Sequence, residues 1–220
     1  MPGATTPHSQ TLSRGIRVLE VLAESPLTIQ GLAQALDVHR SIVYRILRTL
    51  EDHGLVARDA AGLVSLAPRM AALARGVERN LQSAALPELT AAANDLGATT
   101  FLVTLDHAEC VTLLSVEPRA GATVAQRPGT RHPLSVGAPG IAIQSLLADA
   151  QLAGTPRRPL DARGWASSHD EVIAGLSSVA VPLALPGSAP SAIAAVFVAG
   201  SADADAVGAR LLAARDAILL

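Results

Sequence analysis

The sequence has no lysine, so every fixed cation among its 220 residues is an arginine. It has one cysteine, Cys110, which excludes an intrachain disulfide and a cysteine zinc cluster. Cys110 opens a strand-like run to Val116, where a buried structural thiol is expected rather than a nucleophile. Half of the residues are apolar, yet no apolar run reaches the length that spans a bilayer, and no membrane association is expected. Residues 1–10 are polar, carry Pro and Gly, and lack the apolar stretch of a signal peptide. A frayed tail is expected there, with a minor-groove arm as the alternative, in a cytoplasmic protein. Enzyme motifs are missing too: there is no Gly-x-Ser-x-Gly elbow, no His-Glu-x-x-His and no phosphate loop. His132 precedes Pro133 in a loop with no carboxylate close in sequence. No catalysis, metal or cofactor is expected.

What is present divides by charge. Residues 1–80 carry nine arginines against seven acids, a net +2, and the remainder carries eight against twelve, a net −4. The signs fit a front part that binds nucleic acid and a rear part that does not. Within the front part, Val38 to Leu50 sorts into two faces at helical period. Ile42, Val43, Ile46, Leu47 and Leu50 form an apolar stripe, and Ser41, Tyr44, Arg45 and Arg48 form a polar, cationic one. Arginine can fork onto guanine in a major groove, and Ser and Tyr can bind phosphate oxygens. Upstream, Thr11 to Glu24 is helix-periodic. Ser25-Pro26 breaks the chain, and Thr28 can cap a short helix over Ile29 to Leu36. Asp37-Val38-His39 is a tight connection. Downstream, Leu55 to Arg58 and Leu63 to Leu66 flank a turn ending in Gly62 and read as a hairpin. Helix, short helix, turn, basic helix and hairpin are the order of a winged helix-turn-helix.

The candidate DNA-contacting set is His39, Arg40, Ser41, Tyr44, Arg45 and Arg48 at the groove, with Arg14 and the wing residue Arg58 on the backbone. Arg45 sits near the boundary between faces, where an ion pair with Glu51 or Asp52 is the alternative. Leu12, Leu19 and Leu22 are too many apolar residues for so small a domain to bury. Helix 11–24 and a linker helix over 69–82 are therefore the expected dimer elements.

The rear part changes period. Leu86 to Leu96 reads as a helix opened by Pro87 and closed by Gly97. Thr100 to Asp106 and Cys110 to Val116 read as a hairpin, and Thr123 to Arg127 as a short strand. Gly140 to Leu147 reads as a helix, Val179 to Leu185 and Ile193 to Ala199 as a second hairpin, and Ala204 to Leu219 as a closing helix. The fold class is α+β: a winged helix-turn-helix over 1–66, a linker helix over 67–82 and an antiparallel-sheet domain over 83–220.

At this point the chain resembles the IclR family of bacterial transcription regulators. The resemblance rests on Ser13-Arg14-Gly15-Ile16, on Val18 to Leu22, on Leu32-Ala33 with Leu36, and on Ser41 to Leu50. Gly54-Leu55-Val56 and Leu66-Ala67-Pro68-Arg69 resemble the family's wing and its exit. In the rear half the matching stretches are Arg127 to Leu134, Gly137-Ala138-Pro139-Gly140, Gly164-Trp165-Ala166 and Val179 to Leu183. The resemblance implies a GAF-like effector domain, a small-molecule effector, a double-stranded DNA operator, and homodimers or homotetramers.

The chain also departs from the family. Only Ala148 to Arg163 joins the middle helix to Gly164, a segment that is usually longer. Relatives that bind small keto acids place an Asp where this chain reads Ser167-Ser168-His169-Asp170, and a Cys where Ser178 stands. They place two serines in the last strand, where Phe197 and Ala199 align. Either the pocket takes a more apolar ligand or it has degenerated, and the protein is then a ligand-independent winged-helix repressor or a structural DNA-binding protein. Gly137 to Gly140 is either an anion-holding helix start or a tight turn. Ser177 and Ser178 either face the ligand or face water, and His169 and Asp170 either reach the pocket mouth or form a solvated pair. The candidate effector contacts are Phe101, Val103, Phe197, the backbone of Ala138 and Gly140, and Ser178. They fit an organic or aromatic acid with an apolar body and at most one carboxylate.

Overall fold

The computed structural model describes residues 9–121, 123–152 and 154–220. Residues 1–8, where a frayed tail or minor-groove arm is expected, lie outside that range. The chain forms two units, one ending at Val77 and one spanning Glu78–Leu220.

In the first unit, α1 (Gln10–Glu24) starts at Ser9, whose side chain accepts from the Leu12 N–H. After β1 (Leu27–Thr28), the Thr28 hydroxyl caps α2 (Ile29–Ala35) by accepting from the Gly31 N–H at 3.1 Å. Asp37 takes a left-handed turn (φ 51°) into α3 (Arg40–Asp52). β2 (Val56–Arg58) and β3 (Leu63–Leu66) form the wing, and β1 pairs with β3 on its other edge. The wing turn is fixed by Asp59, whose Oδ1 accepts from the N–H groups of Ala61 and Leu63. Val18, Leu32, Val43, Leu47 and Val64 are fully buried, and each such burial is worth about 1.5–3 kcal/mol. Leu22 is buried and Leu19 packs against this core, so neither is left over as expected; the exposed apolar residues of α1 are Leu12 and Ile16.

The expected linker helix over 69–82 is interrupted. α4 (Arg69–Ala74) is short and buries nothing, and the chain turns through 75–78, where Glu78 is left-handed (φ 45°). Gly76, a poor helix former, lies within that break. The next helix begins earlier than expected: α5 runs over Arg79–Leu96 with Pro87 inside it. Leu81, Ala85, Leu89, Ala92 and Ala93 make one buried stripe that carries the helix past Pro87. Pro87 itself is exposed, so the carbonyl it fails to satisfy can be hydrated.

The second unit is built on a six-stranded antiparallel sheet: β4 (Thr99–Asp106), β5 (Glu109–Val116), β6 (Arg131–Pro133), β7 (Ala166–His169), β8 (Leu176–Leu183) and β9 (Ser191–Val198), in the order β6-β5-β4-β9-β8-β7. Residues 123–127 are not a strand; the edge strand forms later, at β6. β7 was not anticipated, because Ala166-Ser167-Ser168-His169 lacks the β-branched and aromatic residues that mark strands. α5 and α7 (Ala204–Ile218) cover one sheet face and α6 (Gly137–Gln144) covers the other. Strand alternation divides β9 accordingly. Ile193, Ala195 and Phe197 face α5 and α7, while Ala192, Ala194 and Val196 face α6. Trp165 joins the α5–α7 core against Gly208, where a Cβ would fall 2.3 Å from the indole. Among the described residues, no helix is long and apolar enough to cross a membrane.

Candidate functional site

α3 presents its polar face by simple rotation. Val43, Ile46, Leu47 and Leu50 point inward, and at 100° per residue Ser41, Arg45 and Arg48 lie opposite them. Arg40, Ser41, Tyr44, Arg45 and Arg48 are all exposed. His39 caps the helix: its Nδ1 accepts from the Ser41 N–H and lies 2.8 Å from the Ser41 hydroxyl. The helix start thus holds an imidazole and a hydroxyl together, with three arginines along the next two turns.

One residue is placed differently from expectation, and one alternative is not realised. Arg58 is turned back onto α3: its guanidinium lies over the Tyr44 ring, 5.3 Å from the centroid, and pairs with Glu51 at 3.0 Å. Its charge is therefore partly spent within the fold, which weakens it as a free backbone contact. Arg45 does not pair with Glu51 or Asp52, since Arg58 takes Glu51. Arg45 and Arg14 instead line a groove with Thr11, Leu12, Ile42 and Thr49.

The second unit holds a cavity of about 80 Å³ between the sheet and the α6 N-terminus. Its apolar wall includes Phe101, Val124, Leu176 and Val196, and its polar wall includes His132, Ser168, Glu171 and Ser178. Val172 and Ile173 sit at it while remaining half-exposed. Phe101 and Ser178 are where the sequence suggested. Val103 lies on the same face but in the core beside Cys110, whose thiol burial pushes up to about 12, with Glu109 adding to the rise.

The remaining expected contacts are corrected. Phe197 points into the α5–α7 core, one strand position out of phase, and Val196 takes the cavity side. Gly140 is a packing glycine: a Cβ there would lie 2.4 Å from the Leu134 carbonyl. The Ala138 N–H donates to Ser168 Oγ at 2.8 Å, and the Gly137 N–H donates to Glu171 Oε2 at 2.9 Å. The helix start is therefore capped by the chain's own side chains. His169 and Asp170 form an exposed pair at 2.9 Å, and His169 Nδ1 lies 3.0 Å from the Ser177 hydroxyl.

The short segment between α6 and β7 braces both ends of α6. Arg157 donates to the carbonyls of Gln144, the last residue of α6, and of Leu147 just beyond it. The backbone N–H of Arg158 donates to Gln144 Oε1, and its guanidinium holds Glu171 at the N-terminal end. Arg158 keeps the Glu171 carboxyl below its ordinary value, burial opposes, and the Gly137 N–H assists. His132, on β6 opposite Cys110, is buried, and neither its Nε2 nor the Ser178 Oγ has a hydrogen-bond partner. Burial pushes the imidazole below its ordinary value, with Glu109 acting the other way. His132 lies within the Arg127 to Leu134 stretch singled out in the sequence, which gives it no role, and Glu171 stands in no such motif. The available signal for His132 was its place between Arg131 and Pro133, whose exposure turns the imidazole to the buried face of β6. Among the described residues, no cluster of His, Cys, Asp or Glu could hold a metal.

Residues 11–60 match the IclR helix-turn-helix domain. A probable transcriptional regulator SauR from Cupriavidus necator is 31% identical over 150 residues, which is 66% of this chain and 60% of that protein. The chain spans little more than half the length of the curated relatives it matches. Among solved structures, an IclR transcriptional regulator from Alicyclobacillus acidocaldarius superimposes with a TM-score of 0.79 at 23% identity, over 97% of both chains. An IclR homolog from Microbacterium hydrocarbonoxydans, solved with 4-hydroxybenzoate, superimposes with a TM-score of 0.83 at 20% identity, over 96% of this chain and 98% of that one. At these identities the structural likeness is one of fold.

Proposed function

We propose that the chain is a cytoplasmic transcription regulator of the IclR family that binds operator DNA through α3 and senses a small molecule in the cavity beneath α6. The observation that carries the DNA half is the exposed Ser41, Arg45 and Arg48 face, which lies within the matched helix-turn-helix domain. The cavity wall, apolar with a few placed polar groups, supports the sensing half. It favours a sensor over a ligand-independent repressor, for which a filled interior is expected. A dimer on a two-fold site is part of the proposal. One winged helix buries little DNA surface, and Leu12 and Ile16 leave apolar area on α1 for a second copy.

The test is selection of duplexes from a random pool by the full chain, followed by sedimentation of the complex. The expected result is an inverted repeat whose half-sites lie about one helical turn apart, bound by at least two copies. A monomer that binds a single unrepeated site tightly would overturn the dimer. Failure to enrich any sequence would overturn the regulator.

A further inference from the structure

The cavity's polar wall is already balanced in charge, and this bears on what it accepts. The feature there best suited to a carboxylate, the N-terminus of α6, is filled from within. Glu171 accepts from the Gly137 N–H and Ser168 from the Ala138 N–H, while the following residue, Pro139, has no N–H. Both arms of Arg158 are taken by the two oxygens of Glu171, and no arginine is among the cavity-lining residues. An incoming carboxylate would meet the Glu171 carboxylate where it needs a cation.

Two polar atoms at the cavity have no partner: Nε2 of His132, a residue only 8% exposed, and Oγ of Ser178. Buried polar atoms of this kind call for a hydrogen-bonding partner. A neutral imidazole nitrogen donates in one tautomer and accepts in the other, and a serine hydroxyl does both. A ligand hydroxyl satisfies either atom in any of these states, whereas a carboxylate can only accept.

Building on the reading of this cavity as the effector site, we propose that its ligand is an uncharged alcohol or phenol. Its hydroxyl is recognised by His132 and Ser178, and Glu171, fixed by Arg158, excludes carboxylic acids. The body packs on Phe101, Leu176 and Val196, and the volume admits a small group of about one ring inside the walls.

Calorimetric titration of the full chain with matched probes tests this: benzyl alcohol against benzoate, and 4-hydroxybenzamide against 4-hydroxybenzoate. The uncharged member of each pair is expected to bind at least about tenfold more tightly. Ser178→Ala and His132→Leu should each weaken that binding by roughly two- to tenfold. Glu171→Gln should narrow the gap by admitting the carboxylate. If His132→Leu does not fold, Ser178→Ala and Glu171→Gln still decide. A carboxylate that binds the parent chain as tightly as its uncharged partner overturns the ligand class and leaves the pocket standing. Indifference of binding to Ser178→Ala and His132→Leu overturns the recognition. No binding by either class at millimolar concentration overturns both this inference and the sensing role.

Discussion

Arg158 grips Glu171 with both guanidinium arms, at 2.6 and 2.7 Å, and thereby seats a carboxylate of the chain's own on the N-terminus of α6. The segment between α6 and β7 thus supplies the cation that holds this carboxylate in place.

Arg158→Ala should destabilise the second unit by about 1 kcal/mol. The pair is bidentate but partly exposed, and solvent screening discounts it. The sign of its pH dependence follows from Glu171. Its pKa is lowered in the fold, so the contribution is present above the ordinary carboxylate value and is lost as pH falls through the folded one. Urea denaturation of parent and variant should show the gap closing at acid pH.

His132 gives a second acid-sensitive step. Its folded pKa lies below 6.5, because burial disfavours the imidazolium. The unfolded chain therefore takes up a proton first as pH drops, and stability falls from about pH 6.5 downward. His132→Gln should flatten the loss of stability that begins below about pH 6.5 in the parent chain.

Gly208→Ala should cost about 1–3 kcal/mol, because the added methyl has no room beside the indole of Trp165. Trp165 is the only tryptophan, so its fluorescence reports the transition directly. Unchanged stability would mean that α7 and the indole do not pack this closely.

Arg58→Ala should have little effect on the salt dependence of DNA binding, since Arg58 is paired with Glu51 and stacked on Tyr44. Arg48→Ala should reduce the slope by about one ion if Arg48 contacts a phosphate. If it reads a base instead, the expected loss is about 1–3 kcal/mol of specific binding.

The winged helix could be read from the sequence almost residue by residue, because its signals are local. Thr28 caps α2 and the α3 stripe has strict helical period. Asp59 to Gly62 have turn chemistry. The second unit's hairpins were equally plain, but the face on which each β9 residue lies was not. Its residues are apolar on both sides, so alternation carries no phase, and Phe197 was placed on the wrong side. The break at 75–78 and the passage of α5 through Pro87 depended on tertiary packing that overrides local propensity. The pairing of Glu171 with Arg158 and the burial of His132 are contacts between distant segments, which spacing cannot reveal.

The most direct measurement is the binding of full-length chain and of Arg45→Ala and Arg48→Ala to the duplex that the parent chain selects, at fixed salt. The expected result is a loss of about 1–3 kcal/mol in at least one variant against that duplex, with a smaller loss against unrelated DNA. Unchanged affinity and unchanged preference in both variants would contradict the assignment of α3 as the helix that reads DNA.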